Sequence, residues 1–187
     1  LDATPELEVG PLNNHVITFQ NTQYTLDTTE YLISFETTTD VGSGGYFVFE
    51  FPENRIWKNG TSGITVHSGS SYSTTITDIT VTYDASGVSL SKIVLNSFCS
   101  SGCAIGSYYF KFSGGISNPD YVPTITGDFI SYTTDSSGAI VNRDIVSNDD
   151  ELAPVVRTEL KGNYPNPFNP ETTIAYSVKE TLPVTIE

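Results

Sequence analysis

Two cysteines, two histidines and a scatter of carboxylates are the residues able to do chemistry in this chain. Cys99 and Cys103 stand in "FCSSGCAIG", separated by Ser100, Ser101 and Gly102, a tight-turn composition. That spacing suits a local disulfide, which implies an oxidising compartment. The alternatives are two free thiols or half of a metal site. Zinc would ask for two more ligands at recognisable spacing, and His15 and His67 are the only histidines. A lone histidine on an alternating strand is ordinarily a structural or surface residue. Asp149, Asp150 and Glu151 could gather around Ca²⁺, but the regular spacing of an EF-hand loop is missing, and a solvated linker is the plainer reading. No metal or cofactor is assigned.

Catalytic patterns fare no better. A glycosidase needs two carboxyls across a cleft. Glu30, Glu36, Glu50, Glu53, Asp78, Asp84 and Asp128 offer many pairs and no reason to choose one. "GTSGI" and "GSGGY" have neither the spacing nor the strand-to-helix setting of a nucleophile elbow. "VGSGGY" lacks the lysine and the helix of a phosphate-cradling loop. The chain is therefore read as not an enzyme, with no catalytic residue.

Binding chemistry is open on one front. Exposed aromatic rings at Trp57, Tyr72, Tyr109 or Tyr121 would stack on sugar rings, although Trp57 is equally a strand-end residue covering a core. Thr75, Thr77, Thr80 and Thr82 alternate as an ice-binding face would, but half-exposed strands favour threonine anyway. Asn59-Gly60-Thr61 matches a glycosylation sequon, a short and weak signal by itself.

The charge balance narrows the partners. The 187 residues carry 22 acids against 8 bases, a net charge of −14. A nucleic-acid backbone or an anionic membrane repels such a chain, and no basic patch relieves this. No apolar run reaches the length of a membrane-spanning helix. The opening "LDATPELEVGPL" reads as a mature or trimmed start.

The elements that must position these residues are strands. Helical periodicity is nearly absent, and period-two alternation recurs throughout. In "GGYFVFEFPEN", Phe47, Phe49 and Phe51 point one way and Tyr46, Val48 and Glu50 the other; Pro52 closes the strand. "SYYFKFSGG" sets Tyr108, Phe110 and Phe112 against Tyr109 and Lys111. "EYLISFE" and "ITVTYDASG" repeat the device, the latter ending in an Asp84-Ala85-Ser86-Gly87 turn. "VSLSKIVLN", "HVITF", "QYTL" and "GITVHSG" supply further strands, and "DFISYTTDSSGAIVN" reads as a hairpin over Asp135-Ser136-Ser137-Gly138. Eight to ten short strands predict an all-β fold. The expected form is an antiparallel two-sheet immunoglobulin-like sandwich with a short C-terminal β-tail. A closed barrel is the alternative. The phenylalanine cluster is expected to join facing strands. The sandwich is assigned to residues 1–141, with 1–12 as an N-terminal arm. An acidic linker, "NRDIVSNDDELAPVVRTELKG", follows over 142–159.

The last segment, 160–187, reads "LKGNYPNPFNPETTIAYSVKETLPVTIE". Proline fixes φ and removes N–H donors, so Tyr164, Pro165, Asn166, Pro167, Phe168, Asn169 and Pro170 form a stiff, donor-poor arm. An alternating strand follows over Thr172, Thr173, Ile174, Tyr176 and Val178. This run closely resembles the beginning of the C-terminal sorting domain of the bacterial type IX secretion system. The resemblance implies a route and not a reaction: export across the outer membrane of a Bacteroidetes-type or related Gram-negative bacterium. The expected location is extracellular or on the outer cell surface, with the secretion machinery as one partner. The looser resemblance of the body is to extracellular β-domains of microbial surface proteins. The reading that follows is a structural or adhesive surface protein. As a homo-oligomer or fibre subunit it would assemble through the C-terminal strand. The alternative is a carbohydrate-binding module of a secreted enzyme, taking a surface glycan.

Overall fold

The computed structural model describes residues 9–19, 28–61, 63–119 and 126–147, together with the backbone of two strands at 159–164 and 173–177. "QYTL" lies outside them. Along the chain the strands are β1 (Gly10–Phe19), β2 (Tyr31–Thr37), β3 (Gly45–Glu50), β4 (Trp57–Lys58), β5 (Thr65–Ser68), β6 (Thr74–Ile76) and β7 (Ile79–Tyr83). They continue with β8 (Leu90–Cys99), β9 (Ser107–Ser113), β10 (Ile116–Ser117), β11 (Phe129–Thr134), β12 (Ile140–Val146), β13 (Glu159–Tyr164) and β14 (Thr173–Ser177). The fold is all-β, and among the described residues no helix is long and apolar enough to cross a membrane.

Ten strands form one sheet, curled nearly into a barrel, in the order β6-β5-β9-β2-β1-β12-β11-β3-β8-β7. Strand β4 pairs with β10, and β13 with β14, as separate two-stranded sheets. Two separate, wholly antiparallel sheets were expected from the alternation; the ladder is instead continuous, because β1 belongs to both halves. Gly10 and Pro11 run parallel to Asn142 and Arg143 of β12, and from Leu12 onward β1 runs antiparallel to β2. The switch is made by a bulge between Asn13 and Val16, where Asn14 takes φ +49°. Asparagine tolerates the left-handed region better than most residues, and a bulge bends and twists its strand.

Alternation positions the core as the sequence predicts. Tyr31, Ile33 and Phe35 of β2 are buried, with Leu32, Ser34 and Glu36 only partly so. Phe35 packs on Phe47 and Phe49 of β3, and Phe49 on Phe110 and Phe112 of β9, at centroid distances of 5.0–6.2 Å. Strands β2 and β3 are far apart in the hydrogen-bonded order, so these rings are what draws the sheet over on itself. Each buried phenylalanine contributes about 1.5–3 kcal/mol by leaving water.

Two expected boundaries shift. Residue 141 falls inside β12, which continues to Val146, so the acidic linker cannot begin at Asn142. Asn142 is fully buried: its Oδ1 accepts from the Thr38 and Thr39 amides, and its Nδ2 donates to the Thr39 carbonyl and Thr133 Oγ1. A polar side chain can be buried when each of its groups finds a partner, which a change of composition does not show. Likewise the arm assigned to 1–12 overlaps β1, where Leu12 is buried.

Turn chemistry repeats. Asp84 and Asp135 each begin an Asp-x-Ser-Gly turn, with Gly87 at φ +73° and Gly138 at φ +89°. Asp84 Oδ1 accepts from the Val88 and Ser89 amides, and Asp135 Oδ1 from Ser137 and Ala139. The serine hydroxyls of Ser86 and Ser137, then these amides, hold both carboxyls below the usual carboxylate value.

Cys99 and Cys103 form the disulfide, with Cα atoms 5.2 Å apart. Its turn docks on the 41–45 loop: Val41 and Cys103 exchange backbone hydrogen bonds of 2.8 Å, and Gly44 N donates to Cys99 O. A Cβ on Gly45 would collide with the Thr134 carbonyl oxygen of β11, so the close passage of β3 beside β11 at this point requires glycine. Closing so short a loop stabilises the fold by about 2 kcal/mol in the chain-entropy model. The Cys99→Ala/Cys103→Ala double variant is expected to lose that much in urea unfolding, and reductant should then have no further effect on its midpoint.

Candidate functional site

Where β1 peels away from β12, the ladder opens and a side chain fills the gap. His15 lies within the bulge and turns its ring between the sheet halves. Its Nδ1 lies 3.1 Å from Asp144 Oδ2 on β12, and its Nε2 lies 2.9 Å from Ser131 Oγ on β11. A carboxylate can only accept, so Nδ1–H donates to Asp144 and Nε2 accepts the Ser131 hydroxyl proton. The order Ser–His–Asp is that of a hydrolase triad.

The surroundings argue against a nucleophile. Ser131 is 1% exposed, on the inward face of β11 between β3 and β12. The His15 side chain is also 1% exposed, with its ring edge-on to Phe35 at 5.8 Å; only Asp144, at 38%, meets water. A cleft lined by Val9, Gly10, Pro11, Arg143, Asp144 and Ile145 reaches the carboxylate and stops short of the other two. No acyl group can approach a serine so covered. What the arrangement does is clamp: one imidazole ties β1 to β11 and β12 where backbone pairing is lost. Burial lowers the His15 pKa, more than the hydrogen bond and charge of Asp144 raise it. The residues are 116 and 129 positions apart, and nothing in their local sequence marks them as partners.

The other candidates separate. His67 sits on β5 with Thr75 Oγ1 at 3.3 Å across the hairpin, away from His15. Of the seven carboxylates considered, Glu50 and Asp128 line one open cleft of about 380 Å³ beside Lys92. Glu50 Oε1 there accepts the Tyr132 hydroxyl, whose pKa is pushed up to about 12 by burial and then by that carboxylate. Glu36 accepts from Asn14 and Ser107, Glu53 from Thr126, Asp78 from Asn96, and Glu30 faces Lys111 at 3.5 Å. Asp84 is spent on its turn. Among the described residues no group of three His, Cys, Asp or Glu side chains could hold a metal ion. Asp149, Asp150 and Glu151 lie outside them.

Aromatic residues considered for sugar stacking fall on three elements. Trp57 is half-buried in β4; Tyr72 is held at φ +52° in the β5–β6 turn; Tyr109 is 37% exposed on the outer face of β9. The last two meet at Gly69, which donates to Tyr109 O and accepts from Tyr72 N. Tyr121 lies outside the described residues. In the sorting-like motif Tyr164 ends β13, while Pro165, Asn166, Pro167, Phe168, Asn169 and Pro170 lie outside the described residues. The strand expected after them is β14, paired antiparallel with β13. A scan against protein-family models finds no match to this chain, and a search of curated proteins finds none either.

Proposed function

We propose that this chain is a secreted surface protein of a Gram-negative bacterium, structural or adhesive, exported by the type IX route and assembled through its C-terminal strand. Its body is read as an immunoglobulin-like sandwich whose halves are joined by β1, and no catalysis is assigned to it. The observation that carries the reading is the division of the hydrogen bonding. The buried apolar residues described run from Leu12 to Val141, while among the described residues β13 and β14 pair with each other and with no other strand. A lone two-stranded hairpin is marginal in water, so this one gains by adding to another surface, and it flanks the motif that resembles a sorting signal. Chain truncation tests this. The 187-residue chain is expected to give particles with a regular axial repeat in electron micrographs, whereas a chain ending at Leu160 gives monodisperse monomers with an unchanged urea unfolding midpoint of the body. Unchanged assembly after truncation would remove the reading.

A carbohydrate-binding module remains the second reading, favoured by one observation. A cleft of about 330 Å³ is lined by Phe98, Tyr108 and Tyr109 with Ser68, Ser70 and Ser107, a mixture of ring faces and hydroxyls suited to a sugar. Monomers that bind a glycan column through Tyr109 would decide for it.

A further inference from the structure

The core of the body is covered unevenly. Among the described residues eight hydrophobic side chains packed against it are only half-buried; two are Cys103 and Val146, and the other six are Ile76, Ile79, Val81, Tyr83, Phe98 and Tyr108. These six sit on β6, on β7, at the end of β8 and at the start of β9. Strands β6 and β7 are the two ends of the ten-stranded order, each with one hydrogen-bonded neighbour among the described residues. Thr77 and Asp78 alone join them, so Ile76 and Ile79 are at most about 10 Å apart, roughly the spacing of two facing sheets. Both free edges therefore border one seam, and the thinly covered side chains lie along it.

Of the two edges, β7 is the longer, and Ile79–Tyr83 carries no charge and no proline. Edge strands ordinarily carry such features to discourage further pairing. Asp84 beyond one end is tied into its own turn, and Lys58 covers the Tyr83 ring at 5.3 Å, which leaves the Ile79–Val81 stretch open. A strand laid on this edge would satisfy its backbone and place alternate side chains over Ile79 and Val81.

We propose that the β7 edge is the acceptor for β14 of a second copy of this chain. The inference rests on the assembly reading above and names its contact. Two copies repel through a net charge of −14 each. Thr173–Ser177 matches β7 in length, is also uncharged, and alternates Ile174 and Tyr176 with small residues. Joining these strands brings no charged residue of either directly opposite another. Among the described residues β14 has one hydrogen-bonded neighbour, β13, and the second copy is proposed to take its other side. The contact is head-to-tail, so it propagates into a filament unless the rotation closes.

Two full-length single-cysteine chains test it, Thr80→Cys in one and Ser177→Cys in the other, mixed and treated with a short bismaleimide that spares the native disulfide. Val16→Cys, at an exposed site on β1, replaces Thr80→Cys as the control. Cross-linked heterodimer is expected on the order of tenfold faster with Thr80→Cys than with the control, since the contact raises the local thiol concentration. Thr82→Cys, two residues along the same edge, repeats the measurement should Thr80→Cys fold poorly. Filaments that require the tail but cross-link no faster at β7 than at Val16 would overturn this assignment and leave the assembly reading standing. A full-length chain that never assembles would overturn both. Preferential cross-linking inside a single chain carrying both cysteines would overturn the second-copy assignment.

Discussion

Phe110→Ala is expected to lower the unfolding free energy by about 3–5 kcal/mol, the range for emptying a buried phenylalanine site. Phe110 is fully buried, and its ring meets four others: Phe35 at 6.0 Å, Phe47 at 5.6 Å, Phe49 at 5.2 Å and Phe98 at 5.3 Å. Those partners come from β2, β3 and β8, so this one side chain touches both halves of the curled sheet. Its loss removes the transfer term, leaves a cavity, and deletes edge-to-face contacts worth about 0.5–1.5 kcal/mol each. For a domain with a net stability of about 5–15 kcal/mol this is a large fraction. The neighbouring residue supplies the control. Tyr109 points outward from the same strand, and Tyr109→Ala should change stability by no more than about 0.5 kcal/mol. Urea denaturation of the two variants measures the difference. Equal losses would mean that β9 does not present alternate faces to core and solvent.

That contrast marks what the sequence makes legible. Wherever a strand is long and buried on one face, as in β2, β3 and β9, aromatic and aliphatic alternation exposes it, because the pleat has period two. The Asp-Ala-Ser-Gly and Asp-Ser-Ser-Gly turns are legible for a related reason: their glycines take positive φ and their aspartates cap the turn. The cysteine pair is close enough along the chain for its pairing to be local. Legibility stops where a contact depends on register between distant strands. Strand β6, Thr74–Ile76, has too few apolar residues to show a period. The parallel pairing of β1 with β12 leaves no local trace, and neither does the burial of Asn142, whose Thr38 and Thr39 partners lie about a hundred positions away. His15 looks like an isolated histidine until β11 and β12 are brought beside it.

The rings and the disulfide fix the sheet from within, and the hydrogen-bonded turns close its hairpins. Along the seam between β6 and β7 the described core is thinly covered, which makes pairing there a gain in burial as well as in backbone hydrogen bonds.

His15 is expected to give the protein a pH-dependent stability that a glutamine in its place abolishes. Its folded pKa is lowered below the ordinary 6.5 because burial disfavours the imidazolium, and Asp144 offsets this only in part. Between the folded and unfolded values the unfolded chain binds the extra proton and the folded one does not. Stability is therefore fully present above pH 6.5, falls as pH drops toward the folded value, and levels off below it. Within that window the slope reaches about 1.4 kcal/mol per pH unit. The carboxyls of Asp84 and Asp135 are lowered from 3.8, so their contributions are lost only as pH falls below that value, in a separate window. Glutamine offers one donor and one acceptor in place of the two ring nitrogens without titrating, so His15→Gln should flatten the profile between pH 7 and 5. His15→Ala should instead cost about 2–4 kcal/mol at pH 7, from the cavity and from a buried Ser131 hydroxyl left without its acceptor. Urea midpoints for the wild type and both variants across that range measure each effect. A wild-type curve as flat as that of His15→Gln would mean that the imidazole takes up its proton equally well in the folded protein. The buried clamp between β1, β11 and β12 would then be open to water in solution.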